Sequence, residues 1–179
     1  IRENDKISVI GAAGPMGTMH VIRNICQGVK GISLYPSSRS DDRVTYIDKT
    51  CASFAKKHDI PFEAYNSKTT KPDTLMDYIV IMAPVPQLVT QAVQDCAQNG
   101  AINIFAGIPA EVSATVDMNK YIAMRQYFIG TSGSTMDDMK CVLKKVESGQ
   151  LDTNISVMAV TGLKEVYKGI QAVEDNFYC

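Results

Sequence analysis

The stretch Lys6-Ile7-Ser8-Val9-Ile10-Gly11-Ala12-Ala13-Gly14-Pro15-Met16-Gly17 decides the reading of this chain: an apolar strand breaks into a glycine-spaced turn, and the turn opens a helix. A turn that bends sharply and lets main chain approach an anionic pyrophosphate favours glycine at 11 and 14, and Gly17 removes a side chain where helix meets strand. Pro15 suits a first helical turn, where its missing N–H loses no internal bond. Free N–H groups there, with a macrodipole equivalent to about half a positive charge, attract phosphate. The stretch therefore reads as a dinucleotide-phosphate cradle. Its spacing is G-x-x-G-x-x-G and matches the generic G-x-G-x-x-G only in part, so a ligand-free strand-to-helix turn stays open as the alternative. No Gly-Lys-Ser/Thr follows, which excludes a Walker loop.

Outward from this turn the chain alternates strands and helices. A helix is expected from Pro15 to about Gln27, with Met16, Met19, Ile22 and Cys26 on one face and Gly28 and Gly31 at its end. Its His20 reads as a surface or hydrogen-bonded histidine, since no partner is legible. A second strand at Ile32 to Tyr35 completes a βαβ unit, and Tyr35-Pro36-Ser37-Ser38-Arg39-Ser40-Asp41-Asp42 follows. An NAD-preferring fold of this kind carries an acid about 20 residues past the glycines for the ribose hydroxyls. Here that count reaches Pro36, while Ser37, Ser38 and Arg39 offer hydroxyls and a guanidinium suited to a 2′-phosphate. The groups favour NADP, with two readings beside it: Ser40 as a plain helix cap, or Asp41 shifted to the ribose, which restores NAD.

Further strands are expected at Pro61 to Tyr65, Tyr78 to Met82 and Ala101 to Phe105, the second a continuous apolar run typical of a sheet covered on both faces. Between them lie helices around Ile47, Cys51, Phe54 and Ala55, and from Pro86 through Ala97. Short strands at Ser113 to Val116, Tyr127 to Gly130 and Ile155 to Val160 are also expected, with apolar helices around Met136 to Val146 and Leu163 to Val173. Ligands in such sheets sit beyond the carboxyl ends of the strands, which places the turns Ala83-Pro84 and Ala106-Gly107 beside the site. The fold class is α/β, a Rossmann-type doubly wound parallel sheet in three αβα layers.

Composition sets bounds. The 179 residues are 45% hydrophobic and 21% charged, enough for one domain with a sizeable core. A net charge of −1 without a basic run argues against nucleic acid, and no apolar run approaches the ~20 residues of a membrane span, so a cytoplasmic protein is expected. Five cysteines at 26, 51, 96, 141 and 179 form no C-x-x-C pair and, with two histidines, indicate neither a disulfide framework nor a metal site. Cys26, Cys51, Cys96 and Cys141 fall in expected helices and read as small buried thiols. The chain opens on Ile1 rather than Met, and a piece of a longer protein is expected.

Taken together, Gly11-Ala-Ala-Gly14-Pro15-Met16-Gly17, Ile81-Met-Ala-Pro84-Val-Pro, Asn103-Ile-Phe-Ala-Gly107 and Ile129-Gly-Thr-Ser-Gly133-Ser-Thr-Met-Asp-Asp138-Met139 span most of the chain. In order and spacing it resembles the coenzyme-binding half of the zinc-dependent medium-chain alcohol and polyol dehydrogenases, of the sorbitol dehydrogenase or L-sorbose-1-phosphate reductase type. The resemblance implies hydride transfer between NAD(P) and an alcohol, polyol or sugar phosphate, with zinc polarising the substrate oxygen in the full-length protein only. Carried over by position, Gly14, Pro15, Met16 and Gly17 hold pyrophosphate, Ser37 to Arg39 the adenosine ribose, and Ala83, Pro84, Ala106 and Gly107 the path to nicotinamide. It also implies a homodimer or homotetramer built through 115–129. Residues 1–130 would be the NAD(P)-binding domain, and 131–179 would pack against a substrate domain absent from this chain. Catalytic and metal residues are not assigned here, and the piece is expected to bind cofactor without completing the reaction. A non-catalytic NAD(P)-binding redox-sensing or regulatory module stays as the alternative. A short-chain dehydrogenase falls, since no tyrosine is followed by lysine four residues on; a methyltransferase stays minor, lacking its acid after the second strand.

Overall fold

A computed structural model of the chain describes residues 1–130, 133–157 and 159–175. Six strands form one sheet in the order β3-β2-β1-β4-β5-β6, every pairing parallel: β1 Lys6–Ile10, β2 Ser33–Ser38, β3 Tyr65–Asn66, β4 Met76–Ile81, β5 Cys96–Ile104 and β6 Tyr127–Gly130. Helices α1 Pro15–Ile25, α2 Asp41–Ile47, α3 Ser53–Lys57 and α4 Pro86–Asp95 fill the crossovers, with α5 Met118–Ala123 before β6. The chain leaves β1 for β2 on one side and returns to β4 on the other. That reversal opens a crevice at the carboxyl ends of β1 and β4.

Two apolar layers hold the sheet. Ile7 and Val9 of β1 pack with Val21, Ile22 and Ile25 of α1 and with Ile47 and Cys51, while Ile79 and Ile81 of β4 face Val89, Ala92 and Val93 of α4 on the opposite side. Alternation along each strand splits its side chains between the layers, so the central strands read as unbroken apolar runs.

Several elements differ from the sequence expectation for physical reasons. In α1 the buried face is Gly17, Thr18, Val21, Ile22 and Ile25, and Met16 and Met19 are exposed. Close packing of Gly17 on the turn sets the helix rotation, and the methionines follow it outward. Strand β2 runs on through Pro36 to Ser38. The N–H of Leu34 bonds Pro61 O on the β3 side, and the missing N–H of Pro36 would point the same way, where β3 pairs only from Tyr65 onward. The third strand correspondingly shrinks to Tyr65–Asn66 plus a single bridge from Phe62 to Leu34.

Between α2 and α3 the helix widens into a π segment, Asp48–Ala52, so 41–57 is helical throughout. Helix α4 stops at Asp95, and Cys96 enters β5 opposite Met76. The segment 113–116 is irregular, tied by the Thr90 hydroxyl donating to Thr115 O at 2.6 Å, and it feeds α5, which the sequence reading passed over although Asp117 caps it by accepting from Lys120 N at 3.0 Å. A 3₁₀ turn at Asn154–Ser156 replaces the expected last strand among the described residues; Met158 lies outside them.

Gln126 couples the second core to the edge of the sheet. Where α4 ends, the Val93 and Cys96 carbonyls lose their helical partners, and the buried Gln126 amide donates to both, at 3.0 and 2.9 Å. Gln126→Ala strands both acceptors. At ~1 kcal/mol per lost bond plus the cost of unmet carbonyls, the variant is expected to lose about 2–4 kcal/mol of stability in urea unfolding. An unchanged midpoint would show that water replaces the amide.

The C-terminal helices α6 Met136–Glu147 and α7 Val166–Glu174 leave their apolar stripes open. Met136, Met139, Leu143, Tyr167, Ile170 and Val173 are exposed, and Leu163 is 93% exposed. Leu151 and Ile155, by contrast, pack on the core beneath α1.

Candidate functional site

Gly11 ends β1 with φ +83°, a conformation that side chains resist, and its N–H and that of Ala12 both donate to Ser37 O, at 3.1 and 3.0 Å. The turn is thereby hung from the end of β2. Gly17 lies buried beneath it: a Cβ there would collide with Gly11 O and lie 2.7 Å from Ala12 Cα. The Thr18 hydroxyl donates to Ala12 O at 3.1 Å and locks helix to turn. Gly14 differs from both. It is the N-cap of α1, with φ −74° and ψ 162°, open to any residue, and a Cβ on it would meet only Gly11 O, 3.9 Å away.

Glycines 14 and 17 thus occupy the second and third places of G-x-G-x-x-G, Ala12 stands in the first, and the tight turn moves one residue earlier, to Gly11. No side chain caps α1 and no acid stands in its first turn. No side chain therefore competes for the N–H groups of its first turn.

A cleft of about 740 Å³ extends from this turn past the ends of β2 and β3 to α4. Of the residues expected at a site, Gly11, Ser37, Ser38, Arg39 and Ala83 line it. Gly14, Pro15, Met16, Pro84, Ala106 and Gly107 sit at the same carboxyl edge of the sheet but outside this lining, and Gly17 is covered by the turn. The structure adds Arg43 on α2, Lys68 and Lys71 on the loop after β3, and Val85 and Leu88 at the start of α4. Lys71 is paired with Asp95, whereas among the described residues Arg39, Arg43 and Lys68 have no carboxylate partner. Arg43 was legible one turn past Arg39; the loop lysines were not, because only the pairing of β3 with β2 brings them over the cleft. Ser37 is buried, and its hydroxyl finds no partner among the described residues. An unmet polar atom, an uncapped helix end and three uncompensated cations fit an anionic, hydroxyl-rich ligand.

The Asp41 carboxylate accepts from the Asn66 side chain at 2.8 Å, and Asp41 does not line the cleft. Ser40 does hold the N-cap position of α2, but its hydroxyl makes no capping bond. His20 is half-buried rather than fully exposed. It meets Phe105 edge-on at 4.7 Å between ring centres, with Nδ1 buried and unpartnered, and burial, helped by the Arg23 charge, lowers its pKa. The imidazole is neutral at pH 7.

Cys26, Cys51 and Cys96 are buried; burial first, then Asp48 and Asp77 respectively, pushes the Cys51 thiol up to about 12 and the Cys96 thiol up to about 11. Cys141 is exposed on α6, against expectation, and Cys179 lies outside the described residues, as do Thr131 and Ser132. Among the described residues no three His, Cys, Asp or Glu side chains converge to hold a metal, and no helix is long and apolar enough to cross a membrane.

An L-sorbose 1-phosphate reductase from Klebsiella pneumoniae is 27% identical, matching 91% of this chain and 41% of its own. A mannitol-1-phosphate 5-dehydrogenase from Aliivibrio fischeri is 25% identical over 92% of this chain and 42% of its own. The chain is thus similar in sequence to two curated sugar-phosphate oxidoreductases. A solved alcohol dehydrogenase from Escherichia coli CFT073, complexed with NADH, superposes on 97% of the chain and 49% of its own with a TM-score of 0.75 at 18% identity, which establishes the shared fold. The chain spans less than half the length of the curated proteins it matches, 41 to 44%. No protein-family model matches it.

Proposed function

We propose that the chain is the NAD(P)-binding part of an oxidoreductase acting on an alcohol, polyol or sugar phosphate, with NADP preferred. The observation that carries this reading is Gly14: an N-cap glycine in an ordinary conformation, facing open space at the reversal of the sheet, has no packing or conformational reason to lack a side chain. A pyrophosphate laid against the main chain supplies the reason. When bound, the nicotinamide ring donates or accepts the hydride.

The residues of this chain bind and orient. The Met16 and Gly17 N–H groups at the start of α1 hold the pyrophosphate, with Gly14 leaving its main chain uncovered and Gly17 keeping helix and turn in contact. Val85 and Leu88 form an apolar wall for the adenine, and the Ser37 and Ser38 hydroxyls face the ribose. Arg39 and Arg43 neutralise a 2′-phosphate, a dianion that would find no compensation in an acid-lined NAD site. Ala83, Pro84, Ala106 and Gly107 leave room along the carboxyl edge towards the nicotinamide. The sugar-phosphate substrate class rests on the two curated relatives. No catalytic step is assigned to these residues, and zinc is given no role among them.

Residues 131–179 are proposed to pack on the remainder of a longer protein, which would cover the open stripes of α6 and α7. Strand β6 is proposed as a homodimer contact: it ends the sheet, and Tyr127, Phe128 and Ile129 are exposed on an edge without a charge or proline to protect it.

Gly14→Ala tests the reading. The variant is expected to unfold at the same temperature as the parent chain and to bind NADPH about tenfold or more weakly, since a methyl group displaces the pyrophosphate from the main chain. Unaltered NADPH binding would remove the cradle.

A further inference from the structure

The loop that carries Lys68 is fastened by one side chain. Asn66, the last residue of β3, donates from Nδ2 to Asp41 Oδ1 at 2.8 Å and accepts the Lys68 N–H on Oδ1 at 3.0 Å, so one amide joins the first turn of α2 to the backbone of the lysine. Its main-chain oxygen takes the N–H groups of Thr69 and Thr70, at 3.0 and 2.9 Å, closing the loop into a tight turn. Ser67 adds a second anchor, bonding Ser38 O through its N–H at 2.8 Å and its hydroxyl at 3.2 Å. Arg39 and Arg43 therefore approach the cleft from the end of β2 and the start of α2, and Lys68 approaches from the loop, all three without an acidic partner among the described residues.

We propose that Asn66 is a specificity-determining positioning residue: its bridge between Asp41 and the Lys68 N–H holds the lysine backbone beside the ribose end of the cleft, from which the ammonium grips a phosphate on the adenosine ribose together with Arg39 and Arg43. The inference rests on the NADP reading above and deepens it. Asp41 contributes its carboxylate to the scaffold rather than to the ribose hydroxyls, so an acid in this position serves phosphate recognition. The long, flexible lysine side chain loses less entropy on binding when its backbone is already held, which is the advantage of preorganisation.

Calorimetric titration with 2′,5′-ADP and with 5′-AMP, which differ only in the ribose phosphate, tests the proposal. The parent chain is expected to bind 2′,5′-ADP about tenfold or more tightly than 5′-AMP. Lys68→Met and Asn66→Ala are each expected to cut that ratio about fivefold, by weakening 2′,5′-ADP while 5′-AMP stays within about twofold. The double variant Asp41→Asn with Asn66→Asp reverses donor and acceptor across the bridge, leaves an acceptor for the Lys68 N–H, and is expected to restore the ratio that Asn66→Asp alone loses. An unchanged ratio in Lys68→Met or Asn66→Ala, with the parent still discriminating, overturns the proposal and leaves the NADP reading standing. Equal weakening of both probes by Asn66→Ala also overturns it, as that reports a general loosening of the fold. A parent chain that does not discriminate between the probes overturns the NADP preference itself, and the proposal with it.

Discussion

Gly17→Ala is expected to be the most damaging single methyl group that can be added to this chain. The new Cβ would collide with Gly11 O and lie 2.7 Å from Ala12 Cα and 2.9 Å from Ala12 C. All three are main-chain atoms of a turn fixed from two sides, by the Ser37 carbonyl and by the Thr18 hydroxyl, so neither partner can swing away as a side-chain tip would. Overpacking of a rigid site costs about 1–3 kcal/mol and sometimes more, and alanine recovers at most ~1 kcal/mol through its better helix propensity. The net loss is placed near the upper end, about 2–3 kcal/mol, which for a domain of this size lowers the unfolding temperature by about 5–10 °C. Circular dichroism melting checks it. Gly14→Ala, three residues away in the same turn, is expected to show no such shift, and equal melting of both variants would mean that the turn yields where its hydrogen bonds say it does not.

Arg39→Ala is expected to weaken NADPH binding by about 10- to 100-fold and NADH binding by less than about threefold. Arg39 follows Ser38 at the carboxyl end of β2, exposed, in the cleft and free of any acidic partner among the described residues, so its charge is available to a ligand. A charge-assisted bond from a guanidinium to a phosphate contributes ~1.5–3 kcal/mol, the range just quoted as affinity. Because phosphate contacts at this surface are screened, the NADPH advantage should also shrink as salt rises from about 0.05 to 0.5 M, whereas the apolar and main-chain contacts common to both cofactors should not. Equal losses for the two cofactors would move Arg39 from the ribose phosphate to the shared pyrophosphate.

Much of this architecture was legible because it is local. The run Lys6–Ile10, the glycines and Pro15 specify strand, turn and helix within a dozen residues, and the apolar run from Tyr78 to Met82 declares by composition the strand found at Met76–Ile81. What escaped depended on partners distant in sequence. Strand β2 outlasts Pro36 only because β3 leaves that side unpaired there, and Met16 and Met19 turn outward because Gly17 dictates which side of α1 touches the sheet. Lys68 and Lys71 reach the cleft through the pairing of Ser37 and Ser38 with Tyr65 and Asn66. The bond from Asn66 to Asp41 likewise joins residues 25 apart in sequence. The cleft was thus half legible: the glycine turn and the Ser37-Ser38-Arg39 end of β2 could be read as its lining, while the opposing wall required the fold.

The most direct test of the account is a titration of the unmodified chain with NADPH and with NADH, followed by nicotinamide fluorescence. Saturable binding of both, with NADPH about tenfold or more tighter, is the predicted result. Tighter NADH binding would contradict the reading of Ser37, Ser38 and Arg39, and saturation by neither cofactor would contradict the cradle at Gly14 on which the account rests.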